Sequence, residues 1–203
     1  MSFYRERILP YLIQMSMSQA HFEPYRRRVT GAARGRVLEI GVGSGLNLSL
    51  YPSGTYVVGL DPSPKLLSMA RSVAGDRLPS IELIEGSAES IPLPDHSLDT
   101  VVTTWTMCSI PDLPTALAEV RRVLKADGRL LFAEHGLSRE ANVAQWQNRL
   151  TPVWKRIGGG CHLNRPIDQL IRESGFDVEQ IQTGHMKGLK PMTFMFEGVA
   201  RKL

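Results

Sequence analysis

Val37-Leu38-Glu39-Ile40-Gly41-Val42-Gly43-Ser44-Gly45-Leu46-Asn47 is the stretch on which the fold turns. A short, mostly apolar run reads as a buried strand, glycines end it, and a helical stretch is expected to follow. Glycines in that place let the backbone take positive φ and approach a ligand closely. Asp61 lies twenty residues beyond Gly41, at the tip of the next apolar run, Tyr56–Leu60. An acid there suits hydrogen bonds to ribose hydroxyls. The pattern points to a ligand that carries a nucleoside.

The glycine spacing narrows the choice. Gly41, Gly43 and Gly45 make G-x-G-x-G, whereas a dinucleotide fingerprint wants a small residue where Leu46 stands. No Gly-Lys-Ser/Thr follows, so the loop is not a P-loop. A nucleoside without a pyrophosphate fits better than NAD(P), and no second substrate domain supports an oxidoreductase.

Around this stretch the chain alternates. Residues 5–30 read as helical. Strands are expected at Val37–Ile40, Tyr56–Leu60, Ile81–Glu85, Leu98–Thr104, Arg129–Glu134, Phe176–Thr183 and Met192–Lys202. Ser63-Pro64 is an N-cap followed by a first-turn proline. Leu113, Leu117, Val120 and Leu124 repeat at helical spacing. Residues 140–156 read as a helix with Val143, Trp146, Leu150, Val153 and Trp154 on one face, bent or broken at Pro152. Pro166 suits a helix start and Gly175 a C-terminal cap. Such alternation implies an α/β fold with a mostly parallel, doubly wound sheet and a ligand crevice at the carboxyl ends of its strands.

With 203 residues, the chain fits one domain (1–203), with residues 1–34 as an N-terminal helical segment and candidate lid. A hydrophobic content of 42% and charged content of 22% suit a globular protein. No stretch approaches eighteen uncharged apolar residues and no signal-peptide pattern opens the chain, so no transmembrane anchor is expected. Two cysteines are too few for a disulfide framework, which suits a cytoplasmic setting. Arg26, Arg27, Arg28, Arg34 and Arg36 cluster, but without aromatic interleaving; they read as a solvated helix face, and no nucleic-acid partner is expected.

The block Val37–Asn47 resembles motif I of the class I S-adenosylmethionine-dependent methyltransferases, and Gly59-Leu60-Asp61-Pro62-Ser63 resembles their next motif. Glu85-Gly86-Ser87-Ala88-Glu89 resembles the segment that holds the adenine edge in that family. The resemblance implies a Rossmann-like seven-stranded sheet whose last strand is antiparallel and inserted between strands five and six. It implies S-adenosylmethionine as cofactor and S-adenosylhomocysteine as product. It assigns cofactor binding to Glu39, Gly41, Gly43, Ser44, Gly45, Asn47, Asp61, Pro62, Ser87, Ala88, Glu89, Thr104 and Trp105.

After strand four, Thr104-Trp105-Thr106-Met107-Cys108-Ser109-Ile110-Pro111 lacks the Asn/Asp-Pro-Pro-aromatic run of exocyclic-amine methyltransferases. Cys108-Ser109, Arg121-Arg122-Val123-Leu124, Glu134-His135, Trp146-Gln147, Pro152-Val153-Trp154 and Gly160-Cys161-His162-Leu163 together resemble the methyltransferase-like group that includes thiol S-methyltransferases. That resemblance runs over about residues 35–202, and residues 5–30 have no close match there. It implies a small-molecule acceptor, a thiol, with a quinone, phenol or lipid amine as the alternative. A non-catalytic nucleoside-binding protein is the reading from another class.

Glu134 and His135 end strand five. A histidine can act as a general base near neutral pH, or the two can be a hydrogen-bonded structural pair. Cys161-His162, after Gly158-Gly159-Gly160, reads as a substrate-contacting loop. His135, Glu134, Cys161 and His162 are the catalytic candidates. No metal is expected, because no companion pair stands at ligand spacing along the chain. Asp95 and Asp99 read as turn and capping residues.

Overall fold

A computed structural model describes residues 3–75 and 80–203. Seven strands form one sheet: β1 (Arg36–Ile40), β2 (Tyr56–Asp61), β3 (Ile81–Glu85), β4 (Leu98–Thr104), β5 (Leu124–His135), β6 (Phe176–His185) and β7 (Phe194–Lys202). Their order is β3-β2-β1-β4-β5-β7-β6. β1 to β5 pair in parallel, and β7 runs antiparallel between β5 and β6. This is the expected sheet. The chain reverses its direction of travel across the sheet between β1 and β4, which places the crevice beyond the carboxyl ends of those strands.

Successive strand residues feed opposite faces, as the pleat requires. Leu38, Ile40, Val101, Leu130 and Phe132 pack with α4 (Leu113–Val123) and α6 (Ile167–Glu173). Val37, Val57, Val102, Leu131 and Ala133 pack with α2 (Glu23–Ala32) and α3 (Pro64–Ala74). Two expected caps are in place. Ser63 Oγ accepts from the Leu66 amide at 3.3 Å, and Gly175 ends α6 at φ 82°. Asp95 pairs with Arg122, while Asp99 pairs with Lys125 and accepts from the Arg36 amide.

Four expectations need correction. Residues 46–50 form successive turns rather than a helix, with Leu48 N–H bonded to the Gly45 carbonyl and Leu50 N–H to that of Asn47. Their side chains explain this. Asn47 and Tyr51 are both drawn inward to Glu39, which the turns permit. The N-terminal segment is not one helix: a π-helical turn (Tyr4–Ile8), α1 (Leu9–Met17) and a 3₁₀ turn (Ala20–Phe22) precede α2.

The third and fourth corrections concern α5 (Ala141–Ile157), which runs unbroken through Pro152. Pro152 is exposed, so water can satisfy the carbonyl that it leaves without a donor. The buried face of α5 is also not the apolar one. Val143, Gln147 and Thr151 point inward, while Trp146 (55% exposed), Leu150, Val153 and Ile157 face outward. Gln147 decides this. Its side chain accepts from Ser138 N–H and donates to the carbonyls of Gly136 and Pro191, stitching two loops together. No helix among the described residues is long and apolar enough to cross a membrane.

Candidate active site

The three glycines of the β1 loop do different work. All have positive φ, at 69°, 55° and 82° for Gly41, Gly43 and Gly45. A Cβ on Gly41 would overlap the Thr106 side chain, and one on Gly45 would lie 2.9 Å from Leu48 Cδ1 and 3.0 Å from Ala70 Cα. Those two permit close packing within the protein. A Cβ on Gly43 would meet only the Gly41 carbonyl, at 3.8 Å. Gly43 therefore presents bare backbone to the open side of the loop, as a ligand cradle requires.

Asp61, at the β2 tip, fixes this loop. Its carboxylate accepts from Gly43 N–H at 3.0 Å and Ser63 N–H at 2.8 Å. Burial raises its pKa, against those two hydrogen bonds. Each oxygen retains a lone pair for a further donor. Pro62 is exposed beside it.

Glu39 is buried, and Asn47 Nδ2 and Tyr51 OH each donate to it at 2.8 Å. Burial pushes its pKa up to about 7 against those bonds and the charge of Arg26. Asn47 also donates to Thr104 Oγ1 at 3.0 Å and accepts from Arg26 at 3.1 Å. Glu39, Asn47 and Thr104 thus form an internal scaffold behind the glycine loop, with Ser44 buried alongside. After β3, Ser87 Oγ donates to Glu89 at 2.9 Å, and Glu89 accepts the Asp112 amide at 2.7 Å. Ala88 is buried between them.

Trp105 sits at φ 50°, its amide bonded to the Ala133 carbonyl. Phe22 meets the ring edge-on at 4.8 Å, Tyr25 at 6.0 Å, and the Arg26 guanidinium lies over it at 5.0 Å. The indole Nε1 is buried without a hydrogen-bond partner. The N-terminal segment therefore roofs this end of the crevice. Lys65 at the start of α3 reaches the Tyr11 ring, and Tyr4 OH donates to the Ile157 carbonyl at 2.8 Å. These contacts tie the N-terminal segment to α3 at one end and to the end of α5 at the other. Arg26, expected on a solvated face, is instead buried against Trp105 and Asn47, and nothing along the chain links it or Phe22 to Trp105.

Glu134 is turned into the protein. It is fully buried and accepts the amides of Thr106 and Met107 at 3.0 and 3.1 Å. Its hydrogen bonds go to this loop, while the His135 ring turns to Cys161. Burial raises its pKa to about 8. Arg165 grips the same loop through the carbonyls of Met107 and Ile110. His162 turns away from its neighbour: its amide and Nδ1 both face the Cys108 carbonyl, at 2.8 and 3.0 Å.

His135 and Cys161 do come together, with Nε2 3.0 Å from Sγ. Cys108, from the β4 loop, completes a group of three with one donor atom each within 4.8 Å of one another. Cys108 and His135 are buried, and Cys161 is partly exposed. The expectation of no metal rested on spacing along the chain. Cys161 lacks companions in sequence but has two in space. The signal for Cys108 along the chain is its place in the loop just after β4.

A methyltransferase domain family matches residues 38–132. Rat thiol S-methyltransferase TMT1B is 38% identical over 150 residues, 72% of this chain and 62% of its own length. The phosphatidylethanolamine N-methyltransferase of Cereibacter sphaeroides is 32% identical over 171 residues, 82% of this chain and 83% of its own. A solved S-adenosylmethionine-dependent methyltransferase of Thermotoga maritima superposes with TM-score 0.69 at 22% identity, covering 99% of this chain and 98% of that one. The chain belongs to the S-adenosylmethionine-dependent methyltransferases, with the class I fold. Within that family its likeness extends to the thiol S-methyltransferases, of whose rat member it spans about 62% of the length.

Proposed function

We propose that the protein transfers a methyl group from S-adenosylmethionine to a small-molecule thiol. The bound cofactor supplies an electrophilic methyl on a sulfonium sulfur. Bare backbone at Gly43 and the carboxylate of Asp61 suit it: Asp61 takes the ribose hydroxyls, and the Ser87–Glu89 loop takes the adenine edge. Residues 1–34 act as the lid, with Phe22, Tyr25 and Arg26 closing over Trp105.

The observation that carries the thiol reading is the position of Glu134. Glu134 is fully buried and its two oxygens accept two backbone amides, so its carboxyl group is engaged with the loop rather than offered to an acceptor. A thiol with pKa near 8.5 is already a few per cent thiolate at pH 7 and needs little help. A phenol, with pKa near 10, needs more. Burial under the N-terminal segment keeps water from the charged pair as it neutralises.

A lipid amine is the second reading, favoured by the fuller overlap with the phosphatidylethanolamine enzyme. A methyl-transfer screen over thiols, phenols, quinols and lipid amines decides. Methylation of thiols above all others is the expected result. Methylation confined to lipid amines overturns the reading, and cofactor binding without turnover on any acceptor assigns the chain to the non-catalytic class.

A further inference from the structure

Three soft donor groups converge at the acceptor end of the sheet. Cys108 comes from the loop after β4, His135 from the end of β5 and Cys161 from the loop after α5. Among the described residues no other three His, Cys, Asp or Glu side chains converge in this way. The cluster has the dimensions of a metal site. Tetrahedral zinc, with Zn–S about 2.3 Å and Zn–N about 2.0–2.1 Å, sets its ligand atoms about 3.5–3.8 Å apart. The observed spread, within 4.8 Å, closes to that by small side-chain rotations.

The donors also suit zinc chemically. Two thiolates and an imidazole select a soft or borderline ion over magnesium or calcium. Two thiolates neutralise a divalent cation, so the buried assembly with water in its fourth position carries no net charge, and a thiolate there brings it to −1. The frame is built before any ion arrives. Glu134 and Arg165 hold the backbone on either side of Cys108, and His162 holds its carbonyl. β5 is locked by its pairing with β7 through His135 opposite Met195. The His135 nitrogen that faces the cluster is Nε2, 3.0 Å from Cys161 Sγ, while Nδ1 is buried without a hydrogen-bond partner.

We propose that Cys108, His135 and Cys161 are the protein ligands of a zinc ion whose fourth position takes the sulfur of the acceptor thiol. Three protein ligands and one exchangeable position define the catalytic rather than the structural kind of zinc site. The second half of this proposal rests on the thiol reading given above. In the binding step the thiol displaces a zinc-bound water. The sulfur–zinc bond forms, the water–zinc bond breaks, and the S–H proton leaves with that water as hydronium. No side-chain base is consumed, in keeping with the engagement of Glu134. Access lies on the Cys161 side. The neighbouring Gly159 faces Leu9 and Ile13 of α1, at 3.4 and 3.8 Å from a Cβ built there, so the lid covers the open position.

The test uses the full chain, purified without chelator under a phosphine reductant. Zinc by inductively coupled plasma mass spectrometry is expected at one ion per chain. Cobalt(II) substitution is expected to give a thiolate-to-cobalt charge-transfer band that shifts when 2-mercaptoethanol is added. Cys161→Ser should weaken zinc affinity beyond the roughly 10–100-fold cost of losing an outer-shell partner, while Asp61→Ala should hold zinc as the unaltered chain does. A folded chain that retains no zinc and gives no cobalt–thiolate band overturns the site. A bound ion whose spectrum ignores the thiol overturns the assignment of the fourth position. Zinc bound with a thiol-responsive spectrum, but no thiol methylated in the screen, supports the site and instead refutes the thiol reading of the function.

Discussion

The two flanks of the crevice are built on different terms. On the β1–β2 side, the buried polar groups satisfy one another: Glu39 is held by Asn47 and Tyr51, Asn47 by Arg26 and Thr104, and Asp61 by two backbone amides. On the β4–β5 side, hydrogen bonds are concentrated on the loop backbone, and two thiols and an imidazole cluster, with His135 Nε2 3.0 Å from Cys161 Sγ and the Cys108 thiol against the Trp105 carbonyl and Ser109 Oγ. The first flank holds a shape, with one patch of bare backbone at Gly43. The second holds reactive groups in place, with Glu134 and Arg165 as the clamps. The difference teaches that the glycine-loop flank is shaped by main-chain form with one carboxylate, Asp61, at its edge, whereas the other flank is built of side chains brought from distant positions.

Gly43→Val is the largest expected break of that contrast. It fills the cradle and forces a β-branched residue to positive φ, which L side chains resist by roughly 1–2 kcal/mol. Calorimetry with S-adenosylhomocysteine should detect no binding. Binding within a few-fold of the unaltered chain would remove Gly43 from the cofactor site. Glu134→Ala attacks the other flank. It leaves two buried amides unpaired, at about 1–3 kcal/mol each, so about 2–6 kcal/mol of unfolding free energy should be lost in a urea titration. Glu134→Gln, which retains one good acceptor, should recover part of this.

The contrast also explains what could be read from sequence. The glycine loop and Asp61 are local features, each a few residues long and tied to a strand end, so their places at the tips of β1 and β2 are legible in the sequence, whereas the place of the last strand follows from the family resemblance. The acceptor flank draws on positions 108, 135, 161 and 165, which no periodicity connects. The face of α5 was misread for a related reason. Of the expected stripe Val143 is buried and Trp154 half-buried, but the bonds of Gln147 to two loops turn Trp146, Leu150 and Val153 outward. Apolar spacing predicts a helix reliably, but which face is buried depends on partners outside it.

Glu39 gives the next largest effect, and it concerns pH. Its pKa stands near 7 in the folded protein against an ordinary 4.5. The folded state therefore holds a proton that the unfolded chain has released between those values. Stability from this source is fully present below about pH 4.5 and falls as pH rises to about 7, by at most about 3 kcal/mol. Glu39→Gln should lack that fall, so its stability relative to the unaltered chain should be greater at pH 8 than at pH 5. Parallel pH profiles in denaturant melts would show that Glu39 ionises normally. Asp61→Ala should weaken S-adenosylhomocysteine binding by about 1.5–3 kcal/mol for each charge-assisted bond lost. Asp61→Asn retains an acceptor for Gly43 N–H, and so separates loss of the ribose contact from loosening of the loop.

The smallest effect is expected at the roof, where it bears on both flanks at once. Phe22 meets Trp105 edge-on, a contact worth about 0.5–1.5 kcal/mol beyond its buried area. If residues 1–34 are a lid, Phe22→Ala weakens closure over Trp105 without touching the Gly43–Asp61 cradle. The cofactor should then leave faster, with its rate of arrival little changed, because closing follows binding. Stopped-flow fluorescence of the tryptophans separates the two rates. A uniform loss of protein stability with unchanged release would mark the segment as a fixed wall. Removal of residues 1–30 gives the stronger version: normal affinity and turnover in that shortened chain would deny the segment any role in either flank.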